Sequence, residues 1–578
     1  FDASTIYYGS QFLHRSKNKG ASWEIISPDL TTNNPDQQKQ DETGGLTLDI
    51  TGAENYNTII TIAPSAKQPG VIWVGTDDGN VQLTTDSGKS WTNFRGKIPG
   101  MPTGGWIPQI RASRYLASEA FVVINDYRRG DFKPYVFRTI DFGKTWTRLI
   151  DENKVKGYAL CILQDPAEPN LIFAGTEHGL WVSLDNGFSF QQWKNGYPSV
   201  STYDLAIQER EADLAIATFG RSMWILDDIR PLRQLASSKG KTPATLKVFP
   251  VPDAYQINYR PALGYEWSLA GIYDAENRKS GAMVSLFVPR IPEKAKENSN
   301  KPNSENVAAP PRSRGGRSGG GSAQPAAKAS DSISVEIYSP QQEKIRSLKW
   351  GIDTGFNRLY WELEEKGYRQ PGSPKPKPGS PEPSGLPVMP GKYKIILRLG
   401  QESDSAYVTV KDDPRTGNMN DSKLAQREKY NRLRKSSDKL TEALDRISEA
   451  GEILTKMTGQ LQNIEGKEAD TLVKATKALQ DSIKSIKEFI QGKPAEKQGI
   501  SRSSAPTVMS RMQEAALYIG ATDLPPGKQE DELLKIAEKV IGEAVQKTNT
   551  FFNQPWKNYK KLVEETKINL FKEYTPIE

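Results

Sequence analysis

The sequence predicts a multidomain, mainly β protein. A partial β-propeller of about four to five blades comes first, a small β-sandwich second and a C-terminal α-helical bundle last. Three observations carry this. A short turn motif recurs four times within the first 190 residues. A run of short apolar strands follows, broken by segments rich in Pro, Gly and Ser. After Asn420 the apolar spacing changes from the period of a strand to that of a helix.

The motif reads Ser/Thr-x-Asp-x-Gly-x-Ser/Thr-aromatic. Its full copies run Thr84 to Trp91, Thr139 to Trp146 and Ser183 to Phe190, and a degenerate copy from Ser16 to Trp23 has Asn18 in the Asp place. The key residues are Asn18, Gly20 and Trp23; Asp86, Gly88 and Trp91; Asp141, Gly143 and Trp146; Asp185, Gly187 and Phe190. Each copy follows the same grammar. An apolar strand ends in Gly-Thr (Val71 to Thr76; Leu171 to Thr176), a turn follows (Asp77-Asp78-Gly79; Glu177-His178-Gly179), and a second strand leads into the motif. The motif glycines are 68, 55 and then 44 residues apart, the length of one four-stranded blade with its loops. Tyr7-Tyr8-Gly9-Ser10 fits the grammar with nothing before it, so the chain is expected to open inside a blade. An open ring exposes strand edges and apolar core. Missing N-terminal propeller sequence, or a partner chain, is therefore expected to complete it.

Within the motif the glycines supply backbone angles that a side chain disfavours. The Asp carboxylates accept hydrogen bonds from backbone and hydroxyl groups of their own turn. The terminal aromatics bury their rings between adjacent sheets, each contributing on the order of a few kcal/mol. These twelve residues are expected to hold the fold rather than to catalyse. Asn18 accepts the same bonds without a charge.

Residues 245–412 hold six strand-like runs: Leu246 to Phe249, Ala282 to Phe287, Ile333 to Tyr338, Arg358 to Trp361, Lys392 to Leu399 after the Pro390-Gly391 turn, and Ser405 to Val410. That is a sandwich of immunoglobulin-like size. Segments 293–331 and 370–387 lack apolar residues and read as flexible insertions. From 420 to 578, stripes such as Leu433, Leu440, Leu444, Ile447 and Leu454, or Leu472, Leu479, Ile483, Ile486 and Ile490, make the amphipathic faces of a bundle. Trp556 and Tyr559 are expected to pack inside it.

Composition narrows the function classes. The net charge of +7 comes from 77 basic and 70 acidic residues, too mild an excess to call for nucleic acid. No apolar run is long enough to cross a bilayer. The one cysteine, Cys161, sits in the apolar run Tyr158 to Leu163, where it reads as a small buried hydrophobe. His14 and His178 are the only histidines and no Cys/His cluster accompanies them. No metal and no cofactor are expected. The first residue, Phe1, reads as a processed or truncated start.

The recurrent motif resembles the Asp-box (BNR) repeat of sialidases, xyloglucanase-like glycosidases and sortilin-type receptors. Val74-Gly75-Thr76-Asp77-Asp78-Gly79 and Ala217 to Asp228 resemble more closely the secreted, sortilin-like bacterial Asp-box proteins often labelled glycosyl hydrolases. The likeness extends to the Pro-Gly-Lys-Tyr strand at 390–393 and to Asp413-Pro414-Arg415. It implies an Asp-box propeller with further blades upstream and an extracytoplasmic location: secreted, periplasmic or at the cell surface. It specifies architecture more than activity, because one turn serves enzymes and receptors alike.

No catalytic set is recognisable. Val288-Pro289-Arg290-Ile291-Pro292 resembles a sialidase Arg-Ile-Pro element but follows the motifs instead of preceding them. A glycosidase needs two carboxylates on facing loops. Asp77, Asp78, Asp126, Glu177 and Asp228 are loop acids, with no evident pair. The expected function is a secreted or surface-exposed binding scaffold whose propeller takes a protein, peptide or glycan. The alternative is a glycoside hydrolase with Trp106, Tyr115 or Tyr127 as sugar platforms.

Overall fold

The computed structural model describes residues 2–39, 56–257, 277–291, 332–461, 464, 466–493, 505–521 and 524–566. They fall into two compact units, Phe1–Pro252 and Asp253–Glu578. The insertion expected at 293–331 lies outside the described residues.

The first unit is five small antiparallel sheets in chain order. Sheet I holds β1 (Ile6–Gly9), β2 (Leu13–Ser16) and β3 (Glu24–Ile25). Sheet II holds β4 (Ile59–Pro64), β5 (Ile72–Thr76), β6 (Val81–Thr84) and β7 (Thr92–Asn93). Sheet III holds β8 (Trp106–Ala112), β9 (Ala120–Asp126), β10 (Asp131–Thr139) and β11 (Thr147–Ile150). Sheet IV holds β12 (Ala159–Gln164), β13 (Ile172–Thr176), β14 (Gly179–Ser183) and β15 (Gln191–Gln192). Sheet V holds β16 (Thr202–Gln208), β17 (Asp213–Thr218) and β18 (Met223–Leu226), followed by helix α1 (Arg230–Ser237) and β19 (Lys247–Val248). The first strands β4, β8, β12 and β16 lie successively beside one another.

Alternation along a strand explains why these strands read as continuous apolar runs. In β5, Ile72 and Val74 join a core with Leu13 and Ile26 of the preceding sheet region, while Trp73 joins Val122 and Ile124 of the next. In β13, Ile172 and Ala174 share a core with Phe121 and Val123 of sheet III, and Phe173 one with Leu214 and Ile216 of sheet V. Strands β5 and β13 are sandwiched between two sheets, so both of their faces must be apolar. Cys161 is fully buried in the core between sheets IV and V, where burial pushes its thiol pKa far up.

The second unit holds β20 (Ala254–Gln256), β21 (Ala282–Val288), β22 (Ser332–Tyr338), β23 (Lys344–Gly351), β24 (Gly355–Trp361), β25 (Glu364–Lys366), β26 (Ser384–Pro387), β27 (Gly391–Leu399) and β28 (Glu402–Asp412). Five of them form a sheet in the order β20-β28-β27-β22-β23, antiparallel but for the β20–β28 pair. Strands β21 and β24 pair antiparallel, and β25 pairs with β26. Buried Trp361 meets Tyr393 of β27 edge-on.

The helices are α2 (Asn420–Leu461), α3 (Lys467–Gln491), α4 (Val508–Ile519), α5 (Lys528–Phe551) and α6 (Lys557–Glu565). Their shared core includes Leu433, Leu440, Ile447, Leu472, Ile483, Leu534 and Ile541, with Trp556 packed against it and Tyr559 buried in it. Leu424, on the apolar spacing nine residues ahead of Leu433, is exposed. Arg427 forks onto Glu365, and Lys423 bonds to Gln256 and Asp412, tying α2 to the strands. Residues 370–387, read from composition as flexible, are held at several points. Lys375 pairs with Glu449, Glu382 accepts from the Ser347 amide, and the Pro383 carbonyl accepts from Arg346. Polar and backbone groups fix this segment, together with the buried Pro371 and half-buried Leu386 at its two ends.

Candidate functional site

The recurrent turns link β2 to β3, β6 to β7, β10 to β11 and β14 to β15, all at one end of the sheets. Asp86 Oδ1 accepts from the Ser90 amide at 2.9 Å and from Thr84 Oγ1 at 2.8 Å, and Oδ2 accepts from Ser90 Oγ. Asp141 repeats this with Thr145 and Thr139, and Asp185 with Ser189 and Ser183. Asn18 Oδ1 accepts from the Ser22 amide and Ser16 Oγ, both at 2.9 Å. The Ser90 hydroxyl and amide hold the Asp86 carboxyl down at about 2, and those of Thr145 lower Asp141. At Asp185 burial works the other way, yet Ser189 and Ser183 bring the net shift below the ordinary carboxylate range.

Each turn also reaches beyond itself. The residue before its glycine adopts a left-handed backbone (Lys19, Ser87, Phe142, Asn186; φ 58°, 67°, 59°, 61°). Its N–H donates to a carbonyl 2.9–3.0 Å away: Gly70, Ser118 and Asn170, in the turns between the first two strands of sheets II to IV, and Ser4, just ahead of β1 in sheet I. A Cβ on Gly88, Gly143 or Gly187 would overlap the Ile26 carbonyl, the Phe94 ring or Leu149 of the preceding sheet region. Trp91, Trp146 and Phe190 are half-buried in those junctions. Trp23 departs from the sequence expectation: it is exposed, because no sheet lies on that side of it among the described residues.

Antiparallel pairing sends the starts of the first strands, and the loops between second and third strands, to the opposite end. A cavity of about 290 Å³ opens there, lined by Asp36, Gln37, Tyr56, Asp77, Gly104, Trp106, Asn125, Asp126, Arg128 and Arg129. Asp126 takes the Arg129 Nε at 2.6 Å, and Arg129 Nη2 donates to the Thr103 carbonyl. The Arg128 guanidinium lies 4.2 Å from the Trp106 ring centroid and 4.6 Å from that of Tyr127, which stacks on Tyr158 at 4.4 Å. Asn125 is 2% exposed, and its Oδ1 accepts no hydrogen bond. Asp77 is equally buried, and burial pushes its carboxyl up to about 6, against the pull of the Thr58 amide and hydroxyl on its two oxygens.

Of the loop acids, the structure brings Asp77 and Asp126 to one cavity. Asp78 is fully engaged by Thr32, Asn57 and Thr76, bracing the chain around residue 32. Glu177 stands beside His178, and Asp228 is a buried partner of Arg230 at the other end, not a solvated turn. Of the three aromatic candidates, Trp106 and Tyr127 meet through Arg128. Tyr115 sits at the far end of the sheet, its hydroxyl donating to the Asp165 carbonyl. Tyr56, Asn125, Arg128 and Arg129 carry no local motif. A positional signal finds Tyr56 alone of these: Tyr56, Trp106, Tyr158 and Tyr203 all stand at or just before the first strand of their sheet. No group of three or more metal-ligating side chains occurs among the described residues.

No family model matches this chain. Over 126 residues it is 30% identical to an oligoxyloglucan-reducing end-specific xyloglucanase of Emericella nidulans, covering 22% of this chain and 15% of that enzyme. The chain thus spans a small part of that relative's length. Similar solved structures include the GH74 xyloglucanase from Xanthomonas campestris (16% identity, 39% of this chain, 35% of that one, TM-score 0.28). YCF48 bound to D1 peptide is another (17% identity, 39% of this chain, 62% of that one, TM-score 0.26). The xyloglucanase is likewise matched over less than two thirds of its length.

Proposed function

We propose that the five sheets are consecutive blades of an Asp-box propeller in an extracytoplasmic binding protein. Its cleft at the Trp106 end takes a glycan. The observation that carries this is Asn125: a buried amide whose oxygen has no donor, on a residue lining a cavity shared with two aromatic rings, three carboxylates and two arginines. A buried acceptor left unpaired costs on the order of 1–3 kcal/mol, which a hydroxyl donor would recover. Sugars supply hydroxyls in number together with an apolar ring face. The partial likeness to a xyloglucanase makes xyloglucan oligosaccharides the first probe. The turn motifs lie at the other end and serve the fold.

The test is calorimetric titration of the full chain with xyloglucan and cello-oligosaccharides, beside the Asn125→Leu variant. Binding that weakens about tenfold or more in the variant, at an unchanged melting temperature, supports the reading. Unchanged affinity, or no glycan binding at all, overturns it. Hydrolysis is the second reading, favoured by Asp77, whose carboxyl is raised to about 6 by burial, the direction a general acid needs. Two contacts weigh against it: Thr58 occupies both Asp77 oxygens and Arg129 holds Asp126. Release of reducing ends that disappears in Asp77→Asn would reverse that ranking.

A further inference from the structure

Arg128 and Arg129 stand side by side in the single turn Tyr127–Arg129 that follows β9, and the protein uses them differently. Arg129 is engaged by its own chain, through Nε on Asp126 and Nη2 on the Thr103 carbonyl. Arg128 makes no hydrogen bond and no ion pair among the described residues. Its guanidinium instead lies over two ring faces, those of Trp106 and Tyr127. Tyr127 is backed in turn by Tyr158, whose ring is inclined by only 21° to it. A guanidinium stacked in this way keeps its five N–H donors in its own plane, at an edge the rings cannot pair with. Both arginines line the cavity that Asn125 lines.

The three carboxylates of that cavity have other partners. Asp126 is held by Arg129, Asp36 lies 3.1 Å from the Lys39 ammonium, and Thr58 donates to both oxygens of Asp77. Two unmet groups therefore belong to residues lining one cavity: the Asn125 oxygen lacks a donor and Arg128 lacks an acceptor. A neutral sugar hydroxyl meets the first demand and answers the second without charge. A sugar acid meets both, with a hydroxyl and with a planar carboxylate whose two oxygens match the guanidinium fork. The rings hold that fork in place before binding, so less freedom is lost when it pairs.

Resting on the glycan reading above, we infer that the cleft selects acidic saccharides: Arg128 takes the carboxylate of a uronic acid unit through two parallel N–H···O bonds, and Asn125 takes a hydroxyl. Arg128 thereby sets charge specificity, while Arg129 holds the turn in position. Neutral oligosaccharides remain ligands, but weaker ones. Arg128 is exposed, so salt screens the pair and the preference narrows as ionic strength rises.

The test is calorimetric titration of the full chain with a uronic acid oligosaccharide, and with the same oligosaccharide after its carboxyls are reduced to primary alcohols. The acidic form is expected to bind about tenfold or more tightly. Arg128→Gln is expected to shrink that ratio to about twofold or less, and Arg128→Lys, which keeps the charge but not the fork, to fall between. The melting temperature of each variant checks its fold. Equal affinity of the parent chain for the two forms overturns the inference, and needs no variant to read. So does a preference that survives Arg128→Gln, or binding of an acidic peptide where the sugar acid does not bind. The glycan reading fails separately: equal binding of the two forms that depends on Asn125 leaves it standing, and only the absence of binding by every saccharide removes both.

Discussion

Gly143→Ala isolates what the turns contribute to packing between sheets. Gly143 has φ +80°, and a Cβ there would drive into the Phe94 ring, which is wedged between Trp73 and Trp146. A left-handed alanine costs about 1–2 kcal/mol, and forcing an extra methyl into a filled junction costs about 1–3 kcal/mol more. Gly196 supplies the control: its φ is +68°, and nothing lies within 4 Å of its would-be Cβ. Gly196→Ala carries the backbone cost alone. For a unit of this size each kcal/mol lowers the melting temperature by roughly 2–4 °C. Gly143→Ala should therefore melt about 2–12 °C below Gly196→Ala, by the packing cost alone. The assay is thermal unfolding followed by tryptophan fluorescence, to which Trp73 and Trp146 contribute among the twelve tryptophans of the chain. If both variants melt together, the turn glycine serves only its own hairpin and the wedge argument fails.

Three further outcomes follow from named contacts. Asp77 holds its proton up to about pH 6, against an ordinary value of 3.8, so the folded state binds more protons than the unfolded in that interval. Stability should fall as pH rises from about 4 to about 6, and Asp77→Asn should flatten that fall in melts at pH 4.5 and 7.5; an equal fall in the variant assigns it elsewhere. Asp141→Asn should melt between the parent and Asp141→Ala, because Asn18 makes the same two acceptor bonds in the first turn; an Asn variant as unstable as the Ala one would show that the charge itself is needed. Arg346 is 5% exposed, bonded to Glu364 at 2.8 Å and to the Pro383 carbonyl, so Arg346→Ala should cost on the order of 3 kcal/mol in urea unfolding; a loss below about 1 kcal/mol would mean the pair is solvated.

The turn chemistry is legible in the sequence because it is local. Every bond that the Thr84, Asp86 and Ser90 side chains make within the turn joins residues at most four apart, so spelling and geometry coincide. The sandwiched second strands are legible for a related reason: burial on both faces leaves an unbroken apolar run such as Ile72-Trp73-Val74. The cleft is not legible. Asp36, Tyr56, Asp77, Trp106 and Asn125 come from four different loops and strand ends, and no spacing unites them. Tyr115 shows how nearness in sequence misleads. The seven-residue strand β8 carries the chain about 23 Å, so residues on either side of it stand at opposite ends of the sheet. Trp23 fits the motif and still lies open, because among the described residues no sheet stands on that side of the ring.

The bond from each left-handed residue to its neighbouring turn uses only the backbone. Lys19, Ser87, Phe142 and Asn186 share it despite having nothing chemical in common. The location of each side chain is thus fixed by the frame, whatever the residue: Phe142 packs on the neighbouring core and Asn186 accepts from Arg138, while Lys19 and Ser87 stand exposed. Sheets I and II therefore carry two addressable positions at the end away from the cleft. A lipid, a dye or a second ligand attached there would be presented at a fixed place, with the binding end left untouched.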